Sequence, residues 1–355
     1  MIATPTDLAG LVARVDEVDR VGVDTEADSL HCYHEKVCLL QIGSPGADEL
    51  VDPLADLDLS PLMGALSRTE LVMHGADFDL RMLYRLGLEA PGKVFDTMIA
   101  ARLTGAAKYG YAALVAEHCG VNLPKGSQKA NWARRPLSDP MSQYARNDTH
   151  YLLPLAELLE RRLIELGRLA WLEQSCEQAI AAARVVRERD PDTVWRVKGS
   201  DALGPRAAAV LRALWHWREG EASDADRPPF HVFSNEELVD TALRLDRGEP
   251  VPAQRLRRAR HARRERFDRA ADEALKLDPT EYPRRRTPRG RPRRTGDQDK
   301  RLAPLKKQRD RVAAELAIDA DLIAPRAALE RIADDGDRGM AALLPWQRQL
   351  LSDAP

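Results

Sequence analysis

The chain has 355 residues, and 44% of them are hydrophobic, enough to build a core in each of one to three domains. Its formal net charge of −2 hides a division: Arg-rich stretches at 255–269 and 284–311 stand against an acidic remainder, the pattern either of a polyanion held by one part and acted on by another or of a solvated helix face with a disordered basic linker. With no run of 18 apolar residues, no charged-then-apolar leader and no paired cysteine spacing, no membrane span or disulfide scaffold is expected, and the reading is a reduced, cytoplasmic protein.

Arg20 to Val23 reads as the first strand, with valines flanking Gly22, and the run stops at Asp24-Thr25-Glu26. In an extended chain, residues i and i+2 share a face roughly 6–7 Å apart, so Asp24 and Glu26 present two carboxylates side by side. They repel unless protons or a hard cation such as Mg²⁺ or Mn²⁺ lies between them. Lys36 to Ile42 is the second strand; its short connection to the first favours antiparallel pairing. Glu49 to Asp52 forms a short third. Strands near 70–73 and 93–95 alternate with helices at about 55–66, 79–86, 97–103 and 111–119, and so are expected to be parallel. His74-Gly75-Ala76-Asp77-Phe78-Asp79 follows the fourth strand and places Asp79 in the first turn of a helix.

Gln128, Lys129, Trp132, Arg134 and Arg135 lie in the next loop. Cations beside an aromatic suit phosphate contact and base stacking, and a packed tryptophan is the other reading. Ser138 or Asp139, with Pro140, opens a helix expected to continue, bent at Pro154, to about Arg189. Tyr144 and Asp148 are four apart and share one face of it. Its stripe of Leu152, Leu155, Leu159 and Leu163 should pack on the sheet and hold Asp148 against the strand acids. Beyond Asp190-Pro191-Asp192 the chain becomes helical. Pro205 to Gly220 carries Trp215 and Trp217 as core residues, Ser234 opens a capping box, and Ala253 to Leu277 forms a further helix. Val232, Leu238 and Ala242 line up with Ile323, Leu329 and Ala333, a second and weaker copy of the same module.

Asp24, Glu26, Asp79, Tyr144 and Asp148, with Phe95-Asp96-Thr97 and Asn131-Trp132-Ala133-Arg134-Arg135-Pro136-Leu137, resemble the motifs of the ribonuclease D group of 3′→5′ exonucleases, in its tyrosine-bearing subclass. Asn131 stands where the family often has Asp. Asp226-Arg227-Pro228 followed by Val232 and Leu238 resembles the helical HRDC domain shared with RecQ-type helicases. The resemblance implies an α/β ribonuclease H-like exonuclease domain with a mixed five-stranded sheet over residues 1–190. All-α modules follow: an HRDC domain at 199–277, a Pro/Arg-rich linker at 278–298 and a divergent HRDC-like domain at 299–355. It further implies two divalent ions, Mg²⁺ or Mn²⁺, on Asp24, Glu26, Asp79 and Asp148, with Tyr144 orienting the attacking water. Thr25, His74, Gln128, Lys129, Trp132, Arg134 and Arg135 are the expected substrate contacts. The implied activity is 3′→5′ exoribonuclease trimming of RNA such as tRNA precursors, releasing nucleoside 5′-monophosphates. The same chemistry on DNA, and non-catalytic nucleic-acid binding, are the alternatives.

Overall fold

The computed structural model describes residues 1–352 except 125, 186–189, 253–260 and 285–295. The first part of the helix expected at Ala253 to Leu277 and most of the expected linker therefore lie outside the described residues. Two compact units make up the chain. One comprises Met1–Ala27, Val37–Val186 and Arg293–Pro355, the other Asp28–Lys36 and Arg187–Pro292.

The first unit is built on β1 (Arg20–Ala27), β2 (Val37–Ser44), β3 (Ala47–Val51), β4 (Glu70–Met73) and β5 (Lys93–Asp96), in the order β3-β2-β1-β4-β5. β1 is antiparallel to β2 and parallel to β4, which is parallel to β5, so the sheet is mixed and five-stranded as expected. Around it lie α1 (Pro5–Asp16), α2 (Ser60–Leu66), α3 (Asp77–Arg85), α4 (Thr97–Thr104) and α5 (Tyr111–Cys119). α1 was not foreseen; Thr4 caps it by accepting from the Asp7 amide at 3.3 Å. β1 also extends further than expected. Asp24, Thr25 and Glu26 pair with Gln41, Leu40 and Leu39 of β2, which places both acids inside the central strand.

The long helix expected from residue 139 is three helices: α6 (Asp139–His150), α7 (Leu152–Glu165) and α8 (Leu169–Ala183). Gly167, at φ +66°, terminates the second in a conformation that side chains disfavour. Pro154 bends nothing, because it lies in the first turn of α7, where its missing N–H is not needed. Leu152, Leu155, Leu159 and Leu163 are buried on the sheet, each contributing about 1.5–3 kcal/mol. Two glycines let the α6–α7 junction come close. A Cβ at Gly22 would lie 3.2 Å from the Thr149 carbonyl oxygen, and one at Gly43 3.0 Å from it.

Helices Gly296–Leu316, Ala320–Ile323, Arg326–Asp334 and Pro345–Ser352 complete this unit. Their Ile323, Leu329, Ile332 and Trp346 belong to the same apolar core as the sheet. Trp346 stacks on Trp171 of α8, ring centroids 4.8 Å apart and planes 12° from parallel. Arg168 ties the two parts together, donating to the carbonyls of Leu103 at 2.7 Å and Leu316 at 2.8 Å. Gly105, the left-handed cap of α4, faces the Ala317 carbonyl so closely that a Cβ there would collide with it.

The second unit packs helices Pro205–Asp224, Asn235–Asp246 and His261–Leu275 around Trp195, Trp215, Trp217, Phe233 and Phe267. Ser234 and Glu237 form the expected capping box. Asp226 accepts from the amides of Tyr33 and His34, both at 3.0 Å, which explains why the 28–36 segment belongs here. The internal repeat extends beyond its apolar residues. Arg218 is buried, donating to the Phe233 carbonyl and to Glu219; Arg309, 91 positions on, is buried and donates to the Ala324 carbonyl and to Asp310. Asp226 and Ala317, the non-glycine residues with positive φ among the described residues (42° and 52°), are again 91 apart. Among the described residues, no helix is long and apolar enough to cross a membrane.

Candidate active site

β1, the central strand, carries Asp24 and Glu26 on the face covered by α6, and α6 supplies Asp148. Carboxylate oxygens of these three lie within 4.8 Å of one another. Burial is the main cause of an upward shift in every carboxyl, and mutual repulsion adds to it. Asp24 is held well above the usual carboxylate range, with the charges of Asp79, Asp148 and Glu26 contributing. Glu26 is pushed up to about 9 and Asp148 to about 7. The arrangement favours protons, or a multivalent cation in their place. All donors are hard oxygens, so these residues fit a divalent ion of the Mg²⁺ class.

Asp79 lies beside this trio. It is 7% exposed, and its Oδ1 accepts from the Thr25 amide at 3.1 Å and the Thr25 hydroxyl at 2.6 Å. These bonds favour the charged form, but burial outweighs them and the pKa is raised. Thr25 thus donates its hydroxyl and its amide to Asp79, locking a second acid to β1.

A further carboxylate holds the α3 entry. Asp96 accepts from the amides of Gly75 at 3.0 Å and Ala76 at 2.8 Å, and also caps α4 through Met98 and Ile99. The turn before Asp79 is therefore pinned to the end of β5. His74 in that turn hydrogen-bonds Thr97 through Nδ1 at 2.9 Å, and the Thr97 hydroxyl donates to the Met73 carbonyl, also at 2.9 Å. The single hydroxyl proton being used, Nδ1 carries the hydrogen and Nε2 keeps its lone pair. Burial lowers the pKa of this ring, which keeps it neutral.

A cavity of about 590 Å³ opens beside the acids, its lining including His74, Tyr111, Gln128, Tyr144, Asn147 and Asp148. Gln128 hydrogen-bonds the Tyr144 hydroxyl, and burial with the neighbouring charges of Asp148 and Glu26 raises the phenol pKa, so the hydroxyl stays protonated. Tyr111 had no signal in the sequence. Its hydroxyl donates to the Asn147 carbonyl at 2.8 Å and accepts from the Tyr151 amide at 3.3 Å, fixing the α6–α7 joint beside Asp148.

Two expected substrate contacts are corrected. Trp132 is 1% exposed, packed in a cluster with Cys38, Leu39, Leu50 and Ala145, so it offers no open face to a base. Arg135 is a structural clamp. Its guanidinium makes two 2.6 Å bonds to Asp52 and donates to the carbonyls of Cys38 and Trp132, both at 2.7 Å. Lys129 and Arg134 are exposed. Asn131 accepts from the Ala133 amide at 3.1 Å, a local turn.

Known proteins show related sequences and folds. A family model for 3′-5′ exonucleases matches residues 1–164, and an HRDC domain model matches residues 207–248. A ribonuclease D from Gluconacetobacter diazotrophicus is 33% identical over 68% of this chain and 62% of its own, so the chain spans less than two thirds of that relative's length. A ribonuclease D from Xanthomonas oryzae pv. oryzae is 32% identical over 94% of this chain and 91% of its own. The crystal structure of Escherichia coli RNase D superposes with a TM-score of 0.69, covering 94% of this chain and 89% of that one at 24% identity, which supports the fold.

Proposed function

The chain belongs to the ribonuclease D family, and from that premise we propose that it is a 3′→5′ exoribonuclease releasing nucleoside 5′-monophosphates from structured RNA, tRNA precursors among them. The observation that carries this reading is the meeting of Asp24, Glu26 and Asp148 within 4.8 Å, with Tyr144 one helical turn from Asp148 on a cavity wall. The E. coli relative is described as an exoribonuclease involved in structured RNA processing. Two divalent ions, Mg²⁺ or Mn²⁺, are the proposed cofactors, held by Asp24, Glu26 and Asp148 with Asp79 alongside. When bound, they would lower the pKa of the attacking water and offset charge on the departing 3′ oxygen.

The chain's own groups supply the rest. Tyr144, protonated at neutral pH, orients the water through its hydroxyl rather than removing its proton, and Gln128 fixes the phenol. His74 lines the cavity, and its Nε2 is the proposed acceptor for the ribose 2′-hydroxyl that DNA lacks. Lys129 and Arg134 are the proposed phosphate contacts. The helical portions are proposed to be two HRDC-type modules, separated by the Pro/Arg-rich linker, that grip RNA away from its 3′ end.

The test is hydrolysis of matched 3′-extended RNA and DNA strands. Monophosphate release from the RNA 3′ end, stopped by EDTA and abolished by Asp24→Asn with RNA binding retained, is the expected result. Faster hydrolysis of the DNA strand would favour the DNA alternative, and activity on a circular strand would overturn the exonuclease reading.

A further inference from the structure

Gln41 lies on β2 directly opposite Asp24 on β1. Gly22 and Gly43, themselves partners across the two strands, both face Thr149 at the end of α6. Alternation along a strand then puts Asp24 and Gln41 on that same face. Leu39, two residues from Gln41, packs in one cluster with Ala145 of α6. Gln41 is thus enclosed beneath α6 next to the acid at the centre of the site, at 0% exposure.

Neither its Nε2 nor its Oε1 has a hydrogen-bond partner. The unpartnered indoles of Trp132 and Trp217 each lack a donor bond alone, whereas Gln41 leaves two separate polar atoms, one donor and one acceptor, unpaired. Burying an unpaired carboxamide destabilises a fold, and an apolar side chain of the same size would avoid that cost. A buried amide that no protein group satisfies, beside a metal-type carboxylate, is accounted for if its partner is part of the loaded site.

We propose that Gln41 is a positioning residue of the divalent-metal centre. Its Nε2–H donates to the Asp24 carboxylate when the acids are ionised around bound cations, fixing which way that carboxylate faces. The inference rests on reading Asp24, Glu26 and Asp148 as the metal site. It assigns Gln41 no contact with the reacting atoms.

The test uses the full-length protein and Gln41→Met, which keeps side-chain length and removes both polar atoms. Three quantities are measured: the melting temperature in EDTA, the Mn²⁺ affinity by electron paramagnetic resonance titration without RNA, and kcat with KM on a 3′-extended RNA. The variant should melt at or about 2–4 °C above wild type in EDTA, because an unsatisfied amide is gone. Its Mn²⁺ Kd should rise about tenfold, as for groups that orient metal ligands. kcat should fall with RNA KM little changed. Mn²⁺ affinity within twofold of wild type would overturn the proposal, and so would a variant melting well below wild type in EDTA, since the amide would then be holding the fold. Wild-type protein that takes up no Mn²⁺ would overturn the metal reading itself, a separate and distinguishable failure.

Discussion

Neutralising Asp148 should stabilise the protein without divalent ions and remove its response to them. Its carboxyl is held at about 7, first by burial and then by the charge of Asp79, against about 3.9 for a free aspartate. A carboxyl raised in the folded state makes the unfolded chain lose its proton first. Folding stability therefore falls as pH climbs from about 4 to about 7, and the deficit persists above that. Three pH units at 1.36 kcal/mol each amount to roughly 4 kcal/mol. Repulsion is shared among several acids, and the group is partly open to solvent, so Asp148→Asn should recover roughly 1–3 kcal/mol of this. At 2–4 °C per kcal/mol, the variant should melt roughly 2–12 °C above wild type at pH 8 in EDTA, with the gap closing towards pH 4. Mn²⁺ should then raise the wild-type melting temperature and barely move that of the variant. Calorimetry at the two pH values, with EDTA and then with Mn²⁺, measures each quantity. A variant less stable than wild type at pH 8 in EDTA would refute the argument that buried repulsion dominates the site.

Tyr144→Phe should lower kcat on the order of 10²-fold with KM nearly unchanged, since a hydroxyl that orients water acts mainly in the transition state; single-turnover cleavage within about threefold of wild type would remove it from the mechanism. Trp346→Ala should cost about 3–5 kcal/mol in urea denaturation, the usual loss for a buried large-to-small change, and an unchanged midpoint would mean that the stack on Trp171 contributes nothing. Arg135→Ala should destabilise by about 3 kcal/mol through the unpaired charge left on Asp52 while RNA affinity shifts less than twofold. An affinity loss without a stability loss would return Arg135 to the phosphate contacts.

The parts of the site legible in sequence are those set by local periodicity. Asp24 and Glu26 share a face because strands alternate, and Tyr144 and Asp148 because helices turn every 3.6 residues. The antiparallel pairing of β1 with β2 and the parallel direction of the later strands followed from the short β1–β2 connection and the alternation with helices. What escaped depends on partners distant in sequence. Arg135 beside Trp132 looks the same whether it reaches for phosphate or, as here, for Asp52, 83 residues earlier. Thr25 gave no hint that Asp79 would claim its hydroxyl. The break between α7 and α8 was written at Gly167, yet the leucine stripe on either side outweighed that single glycine in the reading. The family resemblance supplied the roles of the acids; the geometry added what Asp96 does, and added Tyr111 and Gln41.

Gly105 performs two tasks at once. It ends α4 in a left-handed conformation, and its bare Cα leaves room for the backbone at Ala317. With Arg168 bonded to Leu316 and Trp346 stacked on Trp171, the later repeat has ceased to be a removable module, whereas its earlier counterpart keeps a core of its own. Modularity inferred from a duplicated pattern thus fails for one of the two copies. A catalytic fragment ended after Asp190 would expose one face of Trp171 and leave Arg168 short of an acceptor. A piece that keeps this shared core closed must include residues 296–352, even though more than a hundred intervening residues belong to another unit.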